Sequence, residues 1–255
     1  MEHEFFVSTL FNQLIANPIA SLLGVHAEHD VLPAHVVMII LICLGLLAFG
    51  LILRSRLSVD NPGNIQQVME LVMEGILGFM KDMIGPGYQR YFPIIGTLFL
   101  YILVGNLIGL VPGFMSPTSN INVTAGCAIT VFLYYNYQGF RVQGFKGYLA
   151  HFAGPVVILA PLLFVIELIS HAARPVSLSL RLFGNIYSEE LIILNINQLF
   201  PFFAALPVLA LGLFASTIQA FIFIVLTMVY IGGAVEVHDH HDSGAPEGAS
   251  SSAHH

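Results

Sequence analysis

Apolar residues fill several long stretches of this chain without interruption. Residues 35–53, 91–111 and 119–137 contain no Asp, Glu, Lys or Arg. A helix of about 20 apolar residues crosses the hydrocarbon core of a bilayer, which is roughly 30 Å thick. These segments therefore predict up to three upright membrane spans.

Two further apolar tracts, 155–194 and 199–235, are too long for one upright span each. As continuous helices they would measure roughly 60 and 55 Å at about 1.5 Å per residue. An ordinary helix tilt of about 20° does not absorb that excess. The tracts are either pairs of broken half-spans or two strongly inclined helices. We favour a strongly inclined two-helix hairpin, 155–194 and 201–233, with its turn near 195–201.

A different pattern occupies residues 64–83. The apolar residues that recur there at helical spacing are Ile65, Val68, Met69, Val72, Ile76, Leu77 and Met80. The charged residues on the rest of the helical wheel are Glu70, Glu74, Lys81 and Asp82. This amphipathic pattern predicts a helix that lies along the membrane surface.

Composition agrees with a lipid environment. Of the 255 residues, 56% are apolar and 9% are charged, whereas soluble proteins have about 25% charged residues. The fold class predicted is an all-α polytopic membrane protein, because helical spans satisfy their backbone hydrogen bonds internally. A net charge of −7 with only eight basic residues excludes nucleic acid as a partner. Cys43 and Cys127 lie in apolar runs without a metal-binding spacing, so we expect neither a metal nor a cofactor.

The basic residues also predict the orientation of the chain. Six of the eight fall in two connections, at 54–90 and 141–146, and an excess of Lys and Arg marks the inner side of a membrane. We therefore divide the chain into an outward N-terminal segment (1–34), a membrane domain (35–233) and a disordered, His-rich inward tail (234–255).

Ionisable side chains at membrane depth are costly and point to function, and this chain concentrates them in one tract. They are Glu167, His171, Arg174, Arg181, Glu189 and Glu190. At about 100° per residue, the polar residues within about 40° of Arg181 are Glu167, Ser170, Arg174, Ser177 and Asn185. Glu190 falls about 180° away, on the opposite side of the helix. The pattern predicts two polar routes that do not join.

Arg181 separates these routes along the helix axis as well. Glu167 lies roughly 21 Å towards the inside and Glu190 roughly 13 Å towards the outside. Arginine keeps its charge under any plausible burial, and a fixed cation stabilises the ionised form of a carboxylate that approaches it. Since the other long spans contain no acid, we expect the partner carboxylate to come from another subunit.

Three motifs now make the sequence recognisable. They are RPVSLSLRLFGN at 174–185, STIQAFIF at 216–223 and NLIGLVP at 106–112. Over roughly 33–233 the chain closely resembles subunit a of F-type ATP synthases.

The resemblance implies a proton-conducting stator without an independent catalytic site. Its partners would be the c-subunit ring, the peripheral-stalk b subunits, membrane lipid and the rest of the complex. Apart from the resemblance, the unprocessed-looking start and the outward N-terminus favour a bacterial inner membrane, with the C-terminus cytoplasmic.

The resemblance also assigns roles to individual residues. Arg181 would face the ring carboxylate, with Gln219 beside it. Glu190 and Asn185 would lie in the outer half-channel, and Glu167 in the inner one. From the polar tract we add Ser177 and Glu189 to the candidate proton path.

One pair of positions departs from part of the family. Some members have glycine where this chain has Glu189 and histidine where it has Gly212. The proton carrier of the outer route would then be a carboxylate and not an imidazole, while the route itself stays the same.

Simpler roles remain open for the same residues. Arg181 could snorkel or bind backbone carbonyls, and Gln219 could form only a hydrogen bond between helices. Glu189 and Glu190 could mark a helix end at the outer interface, and Glu167 could only pair with Arg174 or face the inner headgroups. For the whole chain, the alternatives are a secondary transporter with a charged site at mid-membrane and a structural assembly subunit that tolerates an uncharged residue at 181.

Overall fold

The chain is described by a computed structural model over residues 6–17, 32–58, 62–111, 114–153, 160–199 and 205–235. In these ranges the regular elements are helices. The α-helices are α1 (Phe6–Phe11), α2 (Ala34–Ser55), α3 (Asn64–Ile84), α4 (Phe92–Ile108), α5 (Ile121–Ala153), α6 (Ala160–Leu199) and α7 (Ala205–Val235). The short helical turns are Asn12–Ala16, Tyr88–Tyr91 and Pro117–Ser119.

Three helical stretches are long and apolar enough to cross a membrane: Ala34–Arg56, Tyr88–Ile108 and Leu206–Val235. The helices α5 and α6 are of similar or greater length but contain charged residues. The predicted fold class is confirmed: the chain is an all-α polytopic membrane protein.

The two long apolar tracts form long helices and not broken half-spans. Helix α6 runs without a break for 40 residues through Pro175, and α7 runs for 31 residues. Helix α6 extends five residues past the predicted end at 194. The amide of Asn195 donates to the Leu191 carbonyl at 2.7 Å, a local bond that keeps this polar residue inside the helix. The connection at 200–204 lies outside the described residues, and the inclination of the hairpin to the membrane stays a prediction.

Helix α5 also continues beyond its apolar part. The predicted span ended at 137, whereas α5 reaches Ala153. Gly144 has a φ of 72°, a left-handed conformation that glycine adopts without steric cost, so the helix changes direction there. Just before this bend, the Gln143 amide donates to the Ala234 carbonyl at 3.0 Å and joins α5 to the end of α7.

Helix α7 lies at the centre of the packing, since it contacts α3, α4, α5 and α6. The core residues that are at most 1% exposed include Ile95, Ile102, Val131, Tyr135, Leu182, Phe223 and Met228. They come from four helices, α4 to α7. The core therefore holds α6 and α7 in a fixed relation, and those two helices contain the candidate site residues.

The rest of the protein covers only part of the apolar surface of helix α3. It buries Ile76 and Met80 where it packs beside α7, whereas Ile65 is 63% exposed and Leu71 is 71% exposed. The amphipathic helix predicted for 64–83 is thus observed at Asn64–Ile84. Its open apolar side suits a membrane surface, and its placement there stays a prediction.

The described part of the N-terminal segment is tied to the first span. The Asn12 amide donates to the Leu32 carbonyl at 2.9 Å and its Oδ1 accepts from the Leu32 N–H at 3.3 Å. Asn12 is fully buried. The predicted disordered tail lies outside the described residues from 236 onwards.

Gly232 allows the end of α3 to approach α7 closely, and this contact gives a test of the fold. A Cβ atom at Gly232 would meet the carbonyl oxygen of Met83, whereas one at Gly233 would meet no heavy atom within 4 Å. We expect Gly232→Ala to lower the free energy of unfolding by about 1–3 kcal/mol, because the backbones must separate. Gly233→Ala is the matched control and should be neutral or slightly stabilising. Thermal unfolding in detergent measures both variants, and equal transition temperatures would contradict this packing.

Candidate functional site

Arg181 lies on an exposed face of α6. Ser177 and Asn185, one turn away on either side, are exposed as well. The apolar residues next to them, Val176 and Leu180, are 57% and 51% exposed. Within the part of the chain that the structure describes, Arg181 has no hydrogen bond or ion pair. The described contacts therefore do not support the alternative in which backbone carbonyls bind the guanidinium.

A short hydrogen bond joins the face that contains Arg181 to α7. The amide of Asn185 donates to Oε1 of Gln219 at 2.7 Å, and Gln219 is only 3% exposed. The structural role considered for Gln219, a hydrogen bond between helices, is thus observed. Asn185 lies one helical turn from Arg181, so this bond also positions the arginine face.

At the other end of the polar tract, Glu167 and Arg174 form an ion pair. The distance from Arg174 to Glu167 Oε1 is 3.3 Å, and both side chains are about one third exposed. The guanidinium carbon of Arg174 also lies 5.5 Å from the ring centre of Tyr230 on α7. The pairing considered for Glu167 in the sequence is therefore confirmed.

Glu189 and Glu190 face a cleft on the other side of α6. Its lining residues are Asn106, Gly109, Leu110, Ser116, Ile186, Glu189, Glu190, Ile193 and Ser216. The cavity in this cleft has a volume of about 10 Å³, which is close to the space that one water molecule needs. Because α6 continues to Leu199, the two acids do not mark a helix end, and that alternative is wrong.

Glu189 contacts α7 directly at two points. Ser216 Oγ donates to Glu189 Oε2 at 3.3 Å, and Glu189 Oε1 is buried without a hydrogen-bond partner among the described residues. Oε1 lies against Gly212, where a Cβ atom would collide with it. The two positions at which this chain departs from part of the family are thus in contact. A carboxylate fits here only because residue 212 has no side chain.

A network of hydroxyl and amide groups lines the cleft from the connection between α4 and α5. Thr118 donates to Asn106 Oδ1 at 2.6 Å and lies 2.7 Å from Ser116 Oγ. Ser116 Oγ is 2.9 Å from the Gly105 carbonyl, and the Asn106 amide donates to the Ser216 carbonyl at 3.4 Å. The network thus reaches α7.

Ser119 belongs to the same network, since its hydroxyl donates to the Ser116 carbonyl at 2.8 Å. Sequence reasoning did not select Asn106, Ser116, Thr118, Ser119 or Ser216 as site residues. The available signal was a group of small polar residues beside apolar spans, where each polar group needs a partner.

Gly109 allows this connection to fold back over α4. A Cβ atom at Gly109 would lie 2.6 Å from Cβ of Ser116, a distance that nonbonded atoms do not adopt. Gly105, one turn earlier, lies against Pro117. These two glycines therefore allow Ser116 to line the cleft beside the acids on α6. No group of three metal-ligating side chains is found in the described ranges.

Comparison with known proteins now identifies the family. Residues 35–232 match the family described as ATP synthase A chain, which is more than half of the chain. The chain belongs to the ATP synthase A chain family. It is therefore a membrane component of ATP synthase in the sector that translocates protons, and not a secondary transporter.

Individual relatives agree with this assignment. ATP synthase subunit a of Trichlorobacter lovleyi is 42% identical over 229 residues, which cover 89% of this chain and 96% of the relative. The protein of the same name from Nitratidesulfovibrio vulgaris is 49% identical over 191 residues, 75% of this chain and 81% of the relative. That of Geobacter sulfurreducens is 46% identical over 198 residues, 78% of this chain and 85% of the relative.

The contact between Glu189 and Gly212 gives a first test of the site in this ATP synthase A chain. Gly212→Ala should displace the carboxylate and lower ATP-driven proton pumping, because the added Cβ occupies the place of Oε1. Gly233→Ala, on the same helix and with no heavy atom within 4 Å of the place that a Cβ atom would take, is the control. Pumping is measured in inverted membrane vesicles at equal amounts of assembled complex. Equal rates in the two variants would show that the contact has no influence on proton transfer.

The hydroxyl network gives a second test. Thr118→Val keeps the shape of the side chain and removes a hydroxyl with two partners, so we expect a loss of about 1–3 kcal/mol in the free energy of unfolding. Thr130→Val is the matched control, because Thr130 is exposed and its hydroxyl bonds only the Gly126 carbonyl of its own helix. Thermal unfolding of both variants in detergent measures the difference. A Thr118 variant as stable as the control would contradict the network.

Proposed function

We propose that the chain is the proton-conducting stator of a rotary ATP synthase, with two offset half-channels and Arg181 between them. Arg181 would face the carboxylate of the c-subunit ring. The observation that carries this proposal is the placement of charge on α6. The arginine lies on an exposed face without an internal partner in the described structure, whereas Glu189 and Glu190 face the chain's own cleft.

The exposed face of Arg181 is suited to a partner subunit that supplies an acid. An arginine at the centre of a bilayer costs at least about 2.5–3.5 kcal/mol on insertion scales, and no acid of the described chain offsets this cost at position 181. The neighbouring Val176 and Leu180 are apolar and exposed. This combination fits a ring of apolar helices in which each subunit presents one carboxylate.

The outer half-channel would pass the cleft of Glu189 and Glu190. Protons would move along the two carboxylates and the hydroxyl of Ser216, which donates to Glu189. The cleft has space for about one water molecule, which suffices for transfer between side chains a few ångströms apart. Asn185 and Gln219 would stand between the cleft and the arginine face.

The inner half-channel would include Glu167 and Ser177. Both lie on the face that contains Arg181, and Glu167 is about one third exposed. Its ion pair with Arg174 holds the carboxylate at this position. A proton leaving the ring would reach the inner side along this face.

Arg181 would act as the gate between the routes. A permanent cation favours the ionised form of each ring carboxylate that arrives, so that carboxylate releases its proton there. The same charge opposes direct passage of a proton from one route to the other. Direct passage would waste the driving force, about 2.3 kcal/mol per charge at 100 mV.

The remaining parts of the proposal concern the surroundings of the chain. We propose the c-subunit ring and the peripheral-stalk b subunits as its partners, and no catalytic site of its own. The bacterial sources of the relatives and the distribution of Lys and Arg support a bacterial inner membrane with the N-terminus outside and the C-terminus cytoplasmic.

The gate is tested by Arg181→Ala in inverted vesicles that contain the assembled complex. We expect ATP-driven acidification to fall at least about tenfold, the rate effect of ~1.4 kcal/mol, while ATP hydrolysis continues. Passive proton conductance should persist or rise, because the barrier between the routes is removed.

The matched control for this test is Arg56→Ala, which removes an exposed arginine at the end of α2 and should leave pumping unchanged. If Arg181→Ala pumps as well as the control, the arginine has a structural role and the proposal is wrong.

A further inference from the structure

His171 is a buried titratable group that the proposed proton path does not use. It lies on α6 between Glu167 and Arg174 and is 7% exposed. Aromatic rings from α5 pack around it: the ring centres of Phe132 and Tyr135 lie 5.2 and 5.3 Å from that of the imidazole. Histidine at this depth needs polar partners, and α5 supplies them.

The hydrogen bonds around His171 determine which ring nitrogen holds the hydrogen. The Asn136 amide donates to the Phe132 carbonyl at 2.7 Å, so its oxygen Oδ1 is the atom that faces His171. Nε2 of His171 lies 2.8 Å from this oxygen. An amide oxygen only accepts hydrogen bonds, so Nε2 is the donor. The hydroxyl of Tyr135 lies further from the same nitrogen, at 3.4 Å.

His171 belongs to a closed set of contacts across three helices. The ring of Tyr135 packs on that of Tyr230 of α7, with centres 5.9 Å apart. Tyr230 in turn lies under the guanidinium of Arg174 at 5.5 Å. Arg174 is on α6, one turn from His171, and forms the ion pair with Glu167 at 3.3 Å. The set therefore begins and ends on α6, and Glu167 is attached to its exposed side.

This geometry leads to an assignment for His171. We infer that His171 is a positioning residue: its Nε2–H bond to Asn136 fixes α6 against α5 and thereby holds Arg174 on Glu167. The inference rests on the proposed function, in which Glu167 belongs to the inner half-channel. His171 itself transfers no proton in this assignment.

Three substitutions separate a hydrogen bond from simple packing. The amide nitrogen of Gln occupies nearly the same place as Nε2 of His, whereas that of Asn is one methylene group shorter. Leu fills the space without a donor. We expect His171→Gln to retain at least half of wild-type pumping. In His171→Asn and His171→Leu, proton pumping should fall about fivefold, the factor expected from the loss of one buried hydrogen bond.

The readout is the ratio of proton pumping to ATP hydrolysis in inverted vesicles, at equal amounts of assembled complex. Arg181 is intact in all these variants, so failure of this inference is distinct from failure of the arginine gate. If His171→Leu has the same ratio of proton pumping to ATP hydrolysis as His171→Gln, the residue acts by packing alone and the inference is overturned. The same holds if His171→Gln loses as much as His171→Leu.

The partners of His171 provide a second test. Asn136→Leu should reproduce the fivefold loss, and Tyr135→Phe should lose less than twofold, because its contact with Nε2 is the longer one. In the double variant with His171→Leu, Asn136→Leu should add no further loss, since both changes remove one bond. A larger loss for Tyr135→Phe than for Asn136→Leu, or additive losses in the double variant, would overturn the assignment.

Discussion

The free energy of placing charge in lipid governs the arrangement of this chain. A charged group at membrane depth needs a partner or access to water, and the charged groups of α6 meet that need in different ways. Glu167 has Arg174, Glu189 has the Ser216 hydroxyl, and Glu190 lies in the same cleft as Glu189. Arg181 has no such partner in the described chain. We therefore propose that a second subunit supplies the opposite charge, because no other group in the described structure offsets the charge of Arg181.

The two faces of α6 stay separate because the helix is continuous and its neighbours pack against only one side of it. The core packs α6 against α5 and α7, so the side with Glu190 is enclosed and the side with Arg181 is open. Gln219 meets Asn185 at the boundary between them. A break in the helix at Pro175 would have changed the phase between residues 167 and 181. The unbroken helix keeps both ends of the polar tract on one side.

Glycine decides how closely the polar elements approach each other. At Gly109 the connection before α5 folds onto α4, and at Gly212 the Glu189 carboxylate fits against the α7 backbone. A side chain at either glycine would collide with the neighbouring residue. A carboxylate at 189 therefore requires a residue without a side chain at 212.

The sequence by itself determined the helical class, the amphipathic helix and the face of α6 that contains Arg181, because these depend on composition and on the 3.6-residue period. Three motifs also sufficed for the family. It did not determine the true ends of α5 and α6, since polar residues such as Asn195 bond within their own helix and continue it. Nor did it select Asn106 and Thr118, whose importance arises from contacts between residues far apart in the chain. Only the tertiary structure placed Gly212 against Glu189 and His171 against Asn136, because packing between helices, and not the period of any one of them, decides which side chains meet.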